Sequence, residues 1–224
     1  MASEVEIQEA EAMLATVTDY LLLSVSPTAE ASKGAALRRA VGVLLAKPWD
    51  LVKTDEFAAS MLACFTTAYK AGIKFYMLRK LVAVLLEQQP TFAMATAIQL
   101  ASLVYSLSTQ ARLIVDTDFK SRDDVDAVMA AVKANYNAVR DLAADRMDNV
   151  SYMAVNKLGA SVVHYLVETA RPLPRMVDFS IAPMPSLTWA NRIYADGSRA
   201  EELAAENKIV HPAFMPADIR ALST

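Results

Sequence analysis

The sequence predicts a mainly α-helical protein, with a multi-helix bundle over residues 1–171 and a small mixed α+β unit over residues 172–224. Apolar residues recur three or four positions apart through the first part, which is the spacing of amphipathic helices. Six of the 9 prolines follow residue 171, so the composition changes there. A single stretch after this point alternates apolar and polar side chains, as a strand does.

Seven helices are predicted before residue 171. The third begins after a possible N-cap at Thr54, with acidic residues in its first turn. The sixth begins at Ser121, which forms a capping-box pattern with Asp124. The fourth and fifth are apolar around most of their circumference, so we expect them to form the core. The predicted ranges are 4–25, 32–46, 54–69, 73–87, 91–116, 121–143 and 149–169.

The segment from Thr91 to Ala111 carries no charge and has enough residues for a membrane span. Eight of its residues are nevertheless serine, threonine or glutamine, which is too polar for a transmembrane helix. We therefore expect a helix surrounded by other helices, and no membrane span.

Residues 172–224 predict a proline-rich linker followed by four short elements. Val177 to Ile181 alternates as a strand, and Pro185-Ser186 begins a short helix. Ser198 is suited to cap a second helix, and residues 219–222 suit a second strand. The predicted order is strand, helix, helix, strand.

Catalytic motifs are absent from the sequence, which has no phosphate-binding glycine loop, nucleophile elbow or metalloprotease helix. The only cysteine, Cys64, lies in an apolar run, and we expect it to be buried. His164 lies on an otherwise apolar helix, where a core or interface position is expected, and it is far from His211 in sequence. We predict a protein that is not an enzyme, with no catalytic residues, no cofactor and no metal site.

The charge balance argues against a general affinity for nucleic acid. The chain has 22 Lys and Arg against 25 Asp and Glu, a formal net charge of -3. A weak candidate for a basic and aromatic nucleic-acid patch surrounds Tyr76. A solvated helix face is the favoured interpretation of this patch, whose cations are Lys70, Lys74, Arg79 and Lys80.

The C-terminal segment contains a series of short motifs in a fixed order. They are Leu173-Pro174-Arg175, Pro185-Ser186-Leu187, Tyr194-Ala195-Asp196, Ser198-Arg199-Ala200-Glu201-Glu202-Leu203, Asn207 and His211-Pro212-Ala213-Phe214. This series resembles the C-terminal segment of the DNA circularisation (circulation) tail protein family of Mu-like phages and prophages. The glycine that follows the tyrosine in that family is displaced here to Gly197, so a turn of different shape is expected. That family's N-terminal domain has no counterpart here, so the resemblance implies a C-terminal piece.

The resemblance implies a fold and a function. The layout is similar to a LysM module, and related modules in phage baseplates dock onto other proteins. The implied protein is a structural component of a phage tail or baseplate, found in the virion tail and, during assembly, in the host bacterial cytoplasm. Its implied partners are other tail proteins. The 11 methionines suit helices that pack against partners, so a homo-oligomer is also expected. The candidate partner-binding residues are Arg192, Tyr194, Asp196, Arg199, Asn207, His211 and Phe214.

Two other functions remain open. The family name suggests a DNA-binding protein that assists genome circularisation, although an acidic chain lacks the clustered cations that phosphate contacts require. A LysM-like module also suggests peptidoglycan binding, for which exposed aromatic side chains would be needed. DNA gel shifts and sedimentation with purified peptidoglycan distinguish these functions from protein docking.

Overall fold

A computed structural model describes residues 3–25 and 30–223. The protein is mainly helical, as predicted, with a small antiparallel sheet near its C-terminus. The helices are α1 (Glu4–Leu23), α2 (Ala31–Ala46), α3 (Pro48–Lys53), α4 (Phe57–Lys70), α5 (Phe75–Glu87), α6 (Ala93–Val115), α7 (Arg122–Arg146), α8 (Asn149–Ala170), α9 (Ser186–Tyr194) and α10 (Ala200–Glu206). The strands are β1 (Met176–Ser180) and β2 (Asp218–Leu222), and a 3-10 turn, Gly197–Arg199, precedes α10.

The short helix α3 was not predicted. Pro48 looked like the end of a helix, but it occupies the first turn of α3, where its missing N–H costs no hydrogen bond. Thr54 was expected to begin the third helix, and this expectation is wrong. Its N–H instead donates to the Asp50 carbonyl and closes α3. Asp55 follows with a φ of 60°, so α4 begins only at Phe57.

The chain divides into two compact units. The first contains residues 1–117 and 132–162, and the second contains residues 118–131 and 163–224. The beginning of α7 and the end of α8 thus belong with the C-terminal sheet. The domain boundary at residue 171 remains a prediction.

Buried polar residues on α6 organise the first unit. Gln99 has no exposed surface, and its Nε2 donates to the carbonyls of Leu85 and Gln88, at 2.5 and 2.8 Å. Both carbonyls lie at the end of α5, where the helix itself supplies no partner. Arg146 Nη1 donates to Gln99 Oε1 at 3.4 Å, so one amide connects α5, α6 and α7. The polarity of Gln99 therefore serves contacts between helices, whereas the hydroxyls of Ser102 and Thr109 donate to carbonyls of α6 itself.

Further hydrogen bonds join the C-terminal half of α6 to the middle of α7. Gln110 Oε1 accepts a hydrogen bond from Asn135 Nδ2 at 3.0 Å, and the Tyr136 hydroxyl donates to the Leu107 carbonyl at 3.1 Å. Burial raises the pKa of the Tyr136 phenol above its ordinary value. A buried helix over residues 91–116 is thus confirmed as α6. No helix among the described residues has both the length and the apolar character needed to cross a membrane.

Cys64 is buried on α4, as expected. Burial raises the pKa of its thiol to about 11, which keeps the thiol protonated at neutral pH.

The second unit has its own small core beneath the sheet. β1 and β2 pair antiparallel with Met176 opposite Leu222, Asp178 opposite Arg220 and Ser180 opposite Asp218. Trp189 of α9 lies at the centre of the core and is fully buried. The other buried members come from α9, α10, β2 and the loop before β2, and are Ala190, Leu203, Met215, Ile219 and Ala221. The strand predicted at 177–181 is confirmed with a shift of one residue.

Two helical glycines provide a test of packing in the first unit. A Cβ added to Gly159 of α8 would lie 2.8 Å from Cδ1 of Tyr136, whereas a Cβ on Gly42 of α2 would meet nothing within 4 Å. We expect Gly159→Ala to lower the free energy of unfolding by about 1–3 kcal/mol because the buried ring must move. Gly42→Ala is the matched control and raises it by up to about 1 kcal/mol through helix propensity. Urea denaturation measures both, and equal effects would contradict this packing.

Candidate partner-binding surface

The outer edge of β2 is covered by two residues of the C-terminal motif series. Asn207 Nδ2 donates to the Arg220 carbonyl, and its Oδ1 accepts from the Arg220 N–H, both at 2.7 Å. The Tyr194 hydroxyl accepts a hydrogen bond from the Leu222 N–H at 2.9 Å. These groups would otherwise be free to pair with another strand. Tyr194 and Asn207 therefore complete the module and leave little of their polar groups for a partner.

Arg199 contacts side chains of both short helices, α9 and α10. Its guanidinium lies 3.7 Å above the centre of the Tyr194 ring, a cation–π contact. It also donates two hydrogen bonds to the Glu202 carboxylate, at 2.9 and 2.7 Å. These hydrogen bonds lower the pKa of Glu202. Arg199 thus has a structural role on α9 and α10.

The turn between α9 and α10 depends on unusual backbone geometry. Ala195 has a φ of 55°, in the left-handed region that favours glycine. Asp196 follows and accepts hydrogen bonds from the Ser198 hydroxyl and N–H, at 2.7 and 2.9 Å, which lower the pKa of its carboxyl. At Gly197 an added Cβ would lie 2.8 Å from Cδ1 of Leu187 and 3.1 Å from Nδ2 of Asn191, so a larger residue there would require these side chains to shift.

Two loops run side by side at one end of this module. An isolated antiparallel bridge joins Met184 to Met215, and the Ser186 N–H donates to the Pro212 carbonyl at 2.7 Å. The Phe214 N–H donates to the His211 carbonyl at 3.0 Å and closes a tight turn. These contacts join the loop between α10 and β2 to the loop that precedes α9.

This loop exposes apolar side chains. Val210 is fully exposed and Phe214 is 78% exposed. The rings of His211 and Phe214 lie 5.2 Å apart between their centres, at a tilt of 49°. We call Val210, His211, Pro212 and Phe214 the loop tip. Leu187 of α9 follows Ser186, whose N–H bonds to this loop, and its side chain is 56% exposed.

The candidate residues thus separate into two groups. Tyr194, Asp196, Arg199 and Asn207 are engaged inside the module by the contacts above. His211 and Phe214 are exposed at the loop tip, and Arg192 is exposed on α9. The sequence interpretation missed Val210, although its position next to the His-Pro turn was a usable signal. A fully exposed valine becomes visible only once the loop's path is known.

The weak nucleic-acid patch is exposed in the first unit. Lys70 and Lys74 flank the turn between α4 and α5, where Gly72 has a φ of 82°. Lys80 lies on α5 with its Nζ 5.8 Å from the centre of the Tyr76 ring, and Arg79 is exposed beside it. The structure therefore places these cations on solvated surfaces, as the favoured interpretation expected.

Titratable groups that suit metal binding do not cluster within residues 3–25 and 30–223. His164 is exposed on α8, so a core position for it is wrong. The carboxyl of Glu206 lies near those of Asp124 and Glu202, and its pKa is raised by burial and by these two negative charges.

Replacing Asn207 tests the capped strand edge. We expect Asn207→Ala to lower the free energy of unfolding of the second unit by about 0.5–1.5 kcal/mol, since it removes two solvent-exposed hydrogen bonds to the Arg220 backbone that water replaces only in part. Hydrogen exchange at the Arg220 amide should accelerate. Asn137→Ala, at an exposed position of α7, is the control and should leave that amide unchanged. Unaltered protection of Arg220 in the Asn207 variant would refute the role assigned to this amide.

Replacing Ala195 tests the left-handed turn. We expect Ala195→Gly to raise the melting temperature, because removing the Cβ relieves about 1–2 kcal/mol of strain, partly offset by the greater freedom of glycine when unfolded. Ala205→Gly, at an exposed position of α10, should instead destabilise by about 0.5–1 kcal/mol. Calorimetry measures both, and a lower melting temperature for Ala195→Gly would count against the observed turn.

Comparison of the sequence with protein-family models and with curated proteins gives no match. The function is therefore argued from the contacts and exposed surfaces of the C-terminal unit, together with the resemblance of its motifs.

Proposed function

We propose that this protein is a structural component of a phage tail or baseplate that binds other tail proteins through its loop tip. The observation that carries this proposal is the exposure of Val210 and Phe214 on a loop held by backbone hydrogen bonds. The family resemblance of the surrounding motifs supplies the setting, and the virion tail is the proposed location.

An exposed apolar loop tip suits binding to another protein. Burying Val210 and Phe214 against a partner removes apolar surface from water, which is the main favourable term in association. Aromatic side chains at the centre of an interface commonly contribute most of its affinity. The hydrogen bonds that join this loop to its neighbour reduce the conformational entropy that would be lost on binding.

The rest of the module supports a docking role. The order β1, α9, α10 and β2 supports the LysM-like layout that the motifs suggest. Asn207 and Tyr194 cover the outer edge of β2, which disfavours pairing with unrelated strands. Specific contact is thus directed to the loop tip.

The two alternative functions differ in what they require. DNA binding depends on clustered cations, whereas the net charge is -3 and the exposed lysines occupy separate turns. Peptidoglycan binding would use the exposed Phe214 and His211 rings as stacking surfaces for sugars. Neither alternative explains the fully exposed Val210.

Co-purification with neighbouring tail proteins tests the proposal. We expect the pair of substitutions Val210→Ser and Phe214→Ser to weaken partner binding by about 30-fold or more, as loss of one interface anchor worth about 2 kcal/mol does. Val43→Ser is the matched control, since Val43 is an exposed valine on α2 of the first unit. Circular dichroism should show unchanged folding in both variants.

Three results would contradict the proposal. One is undiminished binding of tail proteins by the loop-tip variant. The second is a salt-dependent shift of linear DNA by the wild-type protein, and the third is sedimentation with peptidoglycan that disappears in the loop-tip variant.

A further inference from the structure

The first unit contains an apolar groove between α3, α4 and α6. Its volume is about 550 Å³, within the range of about 300–1,000 Å³ that is typical of binding pockets. Met61, Met94 and Ile98 lie along it, and methionine side chains adapt readily to different partners. The other lining residues are Trp49, Val52, Asp55, Phe57, Ala58, Ala93, Ala97 and Ala101.

One wall of the groove lacks a complete packing partner. The helix α3 has only six residues and none of them is buried. Trp49 is half-buried, and its indole N–H donates to Glu11 Oε1 at 3.1 Å, which orients the ring. Val52 is 41% exposed. The apolar side of α3 therefore faces a space that the residues described by the structure do not fill.

A single charged side chain lines this groove. Asp55 lies between α3 and α4, and within residues 3–25 and 30–223 its carboxylate has neither a hydrogen bond nor an ion pair. Asp50 of α3 differs, because it pairs with Lys53 at 3.4 Å. An apolar groove with one unpaired carboxylate is complementary to an apolar group that carries a nearby positive charge.

We propose that the groove binds an amphipathic helical segment of another protein, with apolar side chains in the groove and a lysine or arginine against Asp55. Ala93, Ala97 and Ala101 recur every four residues along α6 and form a low wall, so a helix can approach closely. The methionines accommodate its apolar side chains, and Asp55 sets its orientation. This is the helix-in-groove mode of recognition.

This site is independent of the loop tip. The groove belongs to residues 1–117, whereas the loop tip belongs to the second unit. A failure of one site to bind therefore does not decide the other, and variants of each can be assayed separately.

Peptide binding to the full chain tests the groove. The probe is a fluorescein-labelled amphipathic peptide of leucine and lysine of about 15 residues, near the length at which isolated helices form. A second peptide carries glutamate at every lysine position. We expect fluorescence anisotropy to show saturable binding of the lysine peptide and much weaker binding of the glutamate peptide.

Three variants locate the binding site. Ala97→Trp fills the groove and should weaken binding by about tenfold or more, as expected when a large side chain occupies a packed site. Ala63→Trp adds the same group at an exposed position of α4 outside the groove and should have no effect. Asp55→Asn removes the charge and keeps a residue that tolerates positive φ. It should lower the affinity for the lysine peptide by about two- to fivefold.

Several outcomes would overturn the inference. Equal affinity for the lysine and glutamate peptides would show that Asp55 does not select the charge. Unchanged binding to Ala97→Trp would place the peptide elsewhere. Self-association of the peptide-free protein that Ala97→Trp abolishes would make the occupant a second copy of this chain and not a foreign helix.

Discussion

The buried amide of Gln99 is the contact on which the helical unit depends. Its Nε2 satisfies the carbonyls of Leu85 and Gln88 at the end of α5, while its Oε1 accepts from Arg146 of α7. Buried polar groups must be hydrogen-bonded, or the desolvation cost is large. The amide therefore stabilises the observed packing of these three helices, because a shift of one helix along another would leave a buried group without its partner.

In the C-terminal unit, too, a side-chain amide bonds to backbone groups that lack a partner, in this case on a strand. The side-chain amide of Asn207 pairs with both backbone groups of Arg220, and Tyr194 completes the edge at Leu222. Residues that a motif marks as distinctive therefore hold the module together. By contrast, the side chains of Val210 and of Phe214, which also belongs to the motif series, are largely exposed. The contacts that complete the module and the surface on which the proposed docking depends therefore lie on different residues.

The spacing of apolar residues predicted the long helices well. The predicted helix ends near Pro48 and Thr54 were less accurate, because proline and threonine occur at both the beginnings and the ends of helices. Pro48 ends a helix in one context and begins α3 in another. Thr54 is a good N-cap by composition, yet its N–H closes α3. The groove beside Asp55 could not be predicted, because it depends on how α3, α4 and α6 are arranged. No local pattern in the sequence contains that information.

By itself the sequence determined the helical class, the burial of Cys64, the polar character of α6 and the strand near Val177. Each of these follows from residues close together in the chain, through side-chain periodicity and solvation. Tertiary structure decided which polar groups meet. Gln99 and Arg146 are 47 positions apart, and Asn207 and Arg220 are 13 apart. Gln99 is buried, so its amide must find partners among the packed helices. The Asn207–Arg220 contacts are exposed to solvent and form because the folded chain places the end of α10 beside β2.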